Sequence, residues 1–305
     1  MNIQLQTLIV DAFQYLSPLP QRSYLVIIDG LDECHEKATQ KMILRLLCET
    51  ITVHKLPLRF LIGSRPESHI RASFDQESLY TITHRVVLDK TFNPGRDIRV
   101  FLQDGFAKIC AENSIVSDVE QPWPGEGIID LLVQRSSGQF IYAVTVLKFV
   151  GADFCSPTKQ LMLVLKPDPT AFSDLDQLYT QILSVYPSRV NIVRVLGFII
   201  AFDNNHLPEV IKDLLEMEDG ELKRVLRGLS PLMRDDSEND ENGECFNEGV
   251  IRFSYIIPEF AHASFSDYLF DLNRSGPFHV NRQEYENQVT IQSFALIMQL
   301  IRSWR

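Results

Sequence analysis

This chain of 305 residues lacks the sequence features that mark membrane, secreted and disulfide-rich proteins. No apolar run reaches about 18 residues, the length of a membrane-spanning helix, and no basic leader precedes the first apolar residues, so we expect no signal peptide. Cysteine is scarce, and its five positions show no CxxC spacing. This predicts reduced thiols rather than disulfides or a zinc site, and therefore a cytoplasmic protein. The positions are Cys34, Cys48, Cys110, Cys155 and Cys245.

Positive charge is also in short supply. The chain has 29 Lys and Arg against 40 Asp and Glu, which gives a formal net charge of −11. Because nucleic-acid binding depends on clustered Lys and Arg, this balance argues against nucleic acid as a partner. A nucleotide needs only one local anion site and is not excluded. The length predicts about two domains.

Helical patterns and short apolar runs alternate over the first 90 residues. Apolar residues at helical spacing predict an amphipathic helix at the N-terminus. The runs SYLVIID (23–29), LRFLIGS (58–64) and HRVVLD (84–89) are typical of strands that are buried on both faces. A helical pattern lies between the first two runs. The alternation predicts a parallel sheet with right-handed crossovers.

Helical patterns without intervening strands follow. An acidic loop between Arg234 and Glu248, a strand candidate VIRFSYI (250–256) and a helix predicted to begin at Pro258 suggest a winged helix. The predicted fold class is α/β followed by all-α. The predicted domains are 1–90 for the α/β part, 91–186 for a helical domain, 187–282 for a winged-helix-like domain and 283–305 for a C-terminal helix.

Three carboxylates, Asp29, Asp32 and Glu33, follow the first predicted strand, and Gly30 allows a tight turn between them. Ligands of open parallel sheets bind beyond the carboxyl ends of the strands. Asp29 can hold Mg²⁺, which keeps one or two protein carboxylates beside phosphates, and Asp32 and Glu33 can orient a water or take its proton. This is the logic of a Walker B element in a P-loop nucleotide hydrolase. The alternative is a polar turn, since Asp-Gly is common in turns.

A basic group follows the second predicted strand, where Arg65 comes between Ser64 and Pro66. An arginine at this edge can contact a γ-phosphate and report its loss. The alternative is an exposed arginine before a proline that starts a helix. Two consecutive strands that deliver acids and then a base to one edge make a combined signal, so we expect these groups to converge.

With these motifs the sequence resembles the NACHT branch of the STAND signalling ATPases, in the form common in fungi. The resemblance lies in LVIIDGLDE (25–33) and RFLIGSRPE (59–67), and it continues in SSGQFIYAVTVLKFV (136–150) and FAHASFSDYLFDLNRSGPFHV (260–280). It covers nearly the whole chain. It implies a P-loop NTPase sheet, a helical domain and a winged helix.

The resemblance also implies roles for individual residues. Asp29 would be the Mg²⁺-facing Walker B acid, Asp32 and Glu33 would serve the water, and Arg65 would be the sensor of the γ-phosphate. His262 would contact the β-phosphate of bound ADP and lock the resting state. The alternative for His262 is a histidine on a helix face that packs beside Phe260 and Phe265.

The Walker A loop of the family, GxxxxGK[ST], is not found in the sequence. We therefore expect the chain to start inside the nucleotide domain and to bind or hydrolyse ATP poorly by itself. An incomplete gene model and a true remnant both explain this. The resemblance implies a fragment of an ATP/ADP-dependent switch in signal transduction, with Mg²⁺ and ATP or ADP as cofactors.

The resemblance implies that the partners are further copies of the chain or other NACHT proteins. Nucleic acid and membranes are not expected as partners. The alternative function is a non-catalytic scaffold or regulatory interaction module derived from a NACHT protein. An unrelated α/β enzyme is disfavoured, because neither Gly-x-Ser-x-Gly nor His-Glu-x-x-His occurs.

Overall fold

The computed structural model describes residues 6–15, 22–34, 36–88, 92–112, 122–153, 155–168, 171–186, 188–201, 208–218, 220–234 and 259–291. The chain forms two compact units, Met1–Leu88 and Asp89–Arg305. We call them the sheet unit and the helical unit. An α/β beginning followed by helices, as predicted from the sequence, is confirmed.

The sheet unit alternates helices and strands along the chain. Its elements are a π-helical turn (Gln6–Val10), α1 (Asp11–Gln14), β1 (Tyr24–Ile28), a 3-10 turn (Leu31–Glu33), α2 (Lys37–Thr52), β2 (Leu58–Ile62), α3 (Ser68–Phe74) and α4 (Glu77–Tyr80). β1 and β2 pair in parallel, with Tyr24 opposite Leu58 and Ile28 opposite Ile62. Helix α2 is the crossover between them, because parallel strands need a long connection.

Within the described residues, one face of this sheet is covered and the other is exposed. Val26 and Phe60 pack against a small core of Val10, Leu56 and Leu58. On the opposite face Leu25, Ile27 and Leu61 keep 62%, 66% and 57% of their surface exposed. The expectation that these strands are buried on both faces is therefore wrong. Side chains alternate between the two faces of a strand, and no described element covers the second face.

The third predicted strand, 84–89, is also wrong as far as it is described. Residues 84–88 form no strand, and Val86, Val87 and Leu88 are exposed. The segment is fixed through Arg85 instead. The Arg85 guanidinium pairs with Asp75 at 2.8 Å and lies 5.6 Å from the centre of the Phe74 ring. Within the described residues, no strand pairs with this segment.

The helical unit begins with a run of helices. These are α5 (Pro94–Glu112), α6 (Glu126–Ser136), α7 (Phe140–Val150), α8 (Pro157–Leu165), α9 (Asp174–Ser184), α10 (Arg189–Ala201), α11 (Pro208–Leu215), α12 (Glu221–Leu229), α13 (Ala263–Phe270), α14 (Leu272–Ser275) and α15 (282–291). One continuous apolar core joins them, with Tyr142, Phe149 and Phe198 among its largest buried side chains.

A polar network lies beside this core and connects α9 with α13 and α14. The Asp176 carboxylate is 1% exposed and accepts two hydrogen bonds from Arg274, at 2.7 and 3.1 Å. Tyr179 bonds to Ser264 at 2.8 Å. Because burial disfavours the charged phenolate, it raises the pKa of Tyr179 to about 12. Long-range polar contacts thus add to the apolar packing.

The predicted winged helix is described only in part. Met233 and Phe260 form an isolated antiparallel bridge, while the predicted strand 250–256 and the acidic loop lie outside the described residues. The following helix begins at Ala263 and not at Pro258 as predicted. The bridge keeps Phe260 extended, and His262 caps the helix, so the chain cannot become helical earlier.

Residues 282–291 form a helix, and the rest of the predicted C-terminal helix, up to residue 305, lies outside the described residues. Among the helices that are described, no single one combines the length and apolar character needed to cross a membrane.

Candidate functional site

The carboxyl ends of β1 and β2 lie side by side and continue their pairing beyond the strands. The Gly63 amide donates to the Ile28 carbonyl at 2.8 Å, and the Leu31 amide donates to the Gly63 carbonyl at 3.1 Å. Gly30 has a φ of +68° and turns the chain between these contacts. A left-handed φ is easily adopted by glycine. The acids after β1 and the residues after β2 are therefore brought together.

Asp32 is the acid that joins the two strand ends. Its Oδ1 atom accepts hydrogen bonds from the Arg65 amide at 2.9 Å and the Ser64 hydroxyl at 3.2 Å. The Arg65 Nε atom lies 3.5 Å from Oδ2. The Asp32 side chain is only 9% exposed, whereas that of Arg65 is 40% exposed. Asp32 therefore positions Arg65 in this arrangement.

Asp29 and Glu33 are the exposed acids of the site. Asp29 follows β1 directly, and its Oδ1 atom accepts a hydrogen bond from the Gly30 amide at 3.1 Å. A Cβ atom at Gly63 would lie 2.4 Å from the same Oδ1 atom. Only glycine at position 63 leaves room for this carboxylate. The Glu33 carboxylate lies over Gly30, since a Cβ there would meet its Oε2 atom at 3.1 Å.

Among the described residues, the charge of the site is negative overall, because the site combines three carboxylates, Asp29, Asp32 and Glu33, with the guanidinium of Arg65. Carboxylate oxygens are hard ligands of the kind that Mg²⁺ prefers, and this ion needs only one or two of them when phosphates and water complete its shell. Within the described residues, no group of three or more His, Cys, Asp or Glu side chains could hold a metal alone. Asp29 suits a shared magnesium site, not a protein-only one.

Two further residues belong to this site and are missed by the sequence analysis. Gln40 of α2 is buried and donates hydrogen bonds to the carbonyls of Asp32 and Cys34. His69 of α3 contacts the Gln40 side chain. A polar residue one turn before Leu44, on the buried side of an amphipathic helix, is the signal that could have found Gln40.

His262, the remaining predicted site residue, belongs to the helical unit. It is the N-cap of α13, where its Nδ1 atom accepts a hydrogen bond from the Ser264 amide at 3.1 Å. The Ser264 hydroxyl lies 2.7 Å from Nδ1 and 2.8 Å from the Tyr179 hydroxyl. Since Nδ1 accepts a backbone N–H, it carries no proton in this arrangement. The contact of His262 with ADP stays a prediction.

A family model described as Nephrocystin 3, N-terminal matches residues 2–65. The matched segment includes β1, the three acids, α2 and β2, and it ends at Arg65. The chain is thus similar to that family over the part that builds the acidic edge, which is a minor share of its length. No curated protein and no solved structure gave a match.

Proposed function

We propose that the sheet unit is the Walker B part of a STAND-type nucleotide switch, which binds Mg²⁺ and, through it, the phosphates of ATP or ADP. One observation carries the proposal: the acids after β1 and Arg65 after β2 meet at one edge, with Asp32 bonded to the Arg65 segment. The match to the nephrocystin family over the same segment adds support.

The negative charge sets the order of binding. Asp29, which is exposed, is the proposed Mg²⁺ ligand, and a phosphate reaches the edge only after the cation offsets the carboxylates. Glu33 is the proposed acceptor for the proton of an attacking water. These roles need the exposed carboxylates that this edge presents.

Arg65 is the proposed sensor of the γ-phosphate. Its Nε atom lies 3.5 Å from the Oδ2 atom of Asp32. A γ-phosphate competes with Asp32 for the guanidinium, and the exchange would release the Asp32 carboxylate to serve the water. The Arg65 amide bond to Asp32 keeps the segment in place while the side chain changes partner.

This chain alone is expected to bind nucleotide weakly. It contains no GxxxxGK[ST] segment, and each charge-assisted hydrogen bond of such a loop contributes roughly 1.5–3 kcal/mol. We therefore expect no appreciable ATP hydrolysis by this chain alone. His262 remains the proposed contact of the ADP β-phosphate, to be tested through ADP retention in a His262→Leu variant of a chimera that carries a Walker A loop.

The test uses Mn²⁺·ADP as a paramagnetic probe, because weak binding still broadens the NMR signals of nearby amides. We expect broadening at residues 29–34 and 63–66 of the full chain, and its loss in Asp29→Asn. The matched control is Asp75→Asn, an acid of the same unit that pairs with Arg85. Broadening that is absent at the acidic edge, or unchanged in Asp29→Asn, would refute the metal assignment.

A second candidate function is a non-catalytic interaction module, favoured by the apolar sheet face. Leu25, Ile27 and Leu61 form a contiguous exposed set, whereas parallel sheets are normally covered on both faces. In this role the face would pair two copies of the chain. Sedimentation analysis of the wild type and of Ile27→Lys tests it, since concentration-dependent dimerisation should weaken in the variant. A wild-type chain that stays monomeric at high concentration rules this role out.

A further inference from the structure

We propose that Gln40 is a positioning residue for the acidic site. Its carboxamide fixes the turn that carries Asp32 and Glu33, and His69 sets the orientation of that carboxamide. The inference rests on the proposed function, because it assigns both residues to the same site.

Gln40 donates both of its side-chain N–H groups to this turn. Its Nε2 atom donates to the Asp32 carbonyl at 3.0 Å and to the Cys34 carbonyl at 2.7 Å. The side chain comes from the first turn of α2 and reaches back along the chain. It is 4% exposed, so water is poorly placed to replace it. The turn itself has few backbone bonds of its own, chiefly Glu33 to Gly30 at 2.9 Å.

His69 completes the arrangement. The NH2 group of the Gln40 amide donates to two carbonyls. The Oε1 atom of Gln40 is therefore the acceptor that contacts the Nε2 atom of His69. Nε2 therefore carries the hydrogen of this contact. Nδ1 is buried, and no hydrogen-bond partner for it is found in the described part of the chain. The histidine is thus a hydrogen-bond donor that prevents the Gln40 amide from rotating.

These contacts attach Asp32 to the segment after β2 twice. The carboxylate accepts hydrogen bonds from Ser64 and Arg65, and the carbonyl is bonded to Gln40, which contacts His69, four residues after Arg65. Movement of the acid turn relative to Arg65 would break both connections. A site that must bind a cation between exposed carboxylates gains from such preorganisation.

Four variants separate positioning from mere stabilisation. Gln40→Met keeps the length of the side chain and removes every hydrogen bond. Gln40→Glu keeps the acceptor for His69 and removes both donors to the turn, and it serves if Gln40→Met does not fold. His69→Met removes the donor to Gln40, whereas His69→Gln places an N–H donor at a similar reach and should rescue the arrangement.

Hydrogen exchange and Mn²⁺·ADP broadening are measured on the full chain for each variant. We expect both Gln40 variants to speed exchange of the amides of residues 30–34 by about tenfold, as for the loss of two hydrogen bonds. Exchange at residues 44–48 of the same helix should stay unchanged. The concentration of Mn²⁺·ADP for half-maximal broadening should rise by a similar factor. His69→Met should follow the Gln40 variants, and His69→Gln should match the wild type.

Hydrogen exchange and Mn²⁺·ADP broadening distinguish a failure of this inference from a failure of the proposed function. One outcome would overturn the inference and leave the proposed function standing. In it, the wild type shows Mn²⁺·ADP broadening, and neither Gln40→Met nor Gln40→Glu changes the exchange rates or the broadening. Faster exchange of the whole helix together with the turn would show a structural role only, and would also overturn it. No broadening in the wild type would refute the proposed function, and with it the assignment of Gln40 to a metal site, whatever the exchange data show.

Discussion

The sheet unit and the helical unit bury their apolar residues to very different degrees. The helical unit joins its helices through one continuous core, with a buried ion pair and tyrosine hydroxyls beside it. The sheet unit has two small separate cores, and one face of its two-stranded sheet is exposed. Small cores supply little stability. The candidate site therefore lies on the unit with the smaller apolar cores, where local hydrogen bonds determine the geometry of the site residues.

The largest effect is expected where the helical unit buries charge. Asp176→Asn should lower the free energy of unfolding by about 3 kcal/mol, because it removes the buried carboxylate charge that pairs with the Arg274 guanidinium. Urea unfolding followed by circular dichroism measures the change. Glu286→Gln is the control, since its pair with Arg282 is exposed and should contribute less than about 1 kcal/mol. Equal losses in both variants would show that the buried pair stabilises the helical unit no more than the exposed pair does.

Alkaline pH should weaken the helical unit through its buried tyrosines. The folded-state pKa of Tyr179 is raised from 10 to about 12, so its contribution is fully present below pH 10 and is lost as the pH rises towards 12. The loss is at most about 2.7 kcal/mol, at 1.36 kcal/mol for each pKa unit. Tyr179→Phe should flatten the decline in urea midpoint above pH 10. An unchanged slope would contradict this assignment.

Glycine-to-alanine changes should affect the geometry of the site in the sheet unit and the stability of the helical unit. Gly63→Ala places a Cβ atom against the Asp29 carboxylate, which should move that group and abolish Mn²⁺·ADP broadening while changing stability little. Gly127→Ala meets no atom within 4 Å in helix α6, so it should stabilise the helical unit by up to about 1 kcal/mol. Retained broadening in Gly63→Ala would show that Asp29 does not depend on this close approach.

The smallest effect tests the open sheet face. Ile62→Val, in contact with one of the small cores, should cost about 1 kcal/mol. Ile27→Val, on the exposed face, should change the free energy of unfolding by less than about 0.5 kcal/mol. The two isoleucines lie in paired strands, and local exchange rates in the sheet unit provide the measurement. Similar costs would mean that the second face is covered in solution.

Local patterns were enough to predict the two paired strands, the crossover helix and the meeting of Asp32 with Arg65. Each depends on periodicity or on strand direction, which neighbouring residues specify. The third strand failed because an apolar run does not reveal whether a partner strand is present. The start of α13 failed because the Met233–Phe260 bridge joins residues that are distant in the chain. Gln40 was missed because its contacts with Asp32 and Cys34 depend on how the turn folds back onto α2.

The sequence by itself determined which residues lie at the carboxyl ends of β1 and β2, because the order of apolar runs and polar turns is a local property. Only the tertiary structure decided how those residues are used. It engaged Asp32 with Arg65, left Asp29 and Glu33 exposed, and placed Gln40 and His69 behind the turn. Such contacts depend on distances between elements, and no local pattern specifies those distances.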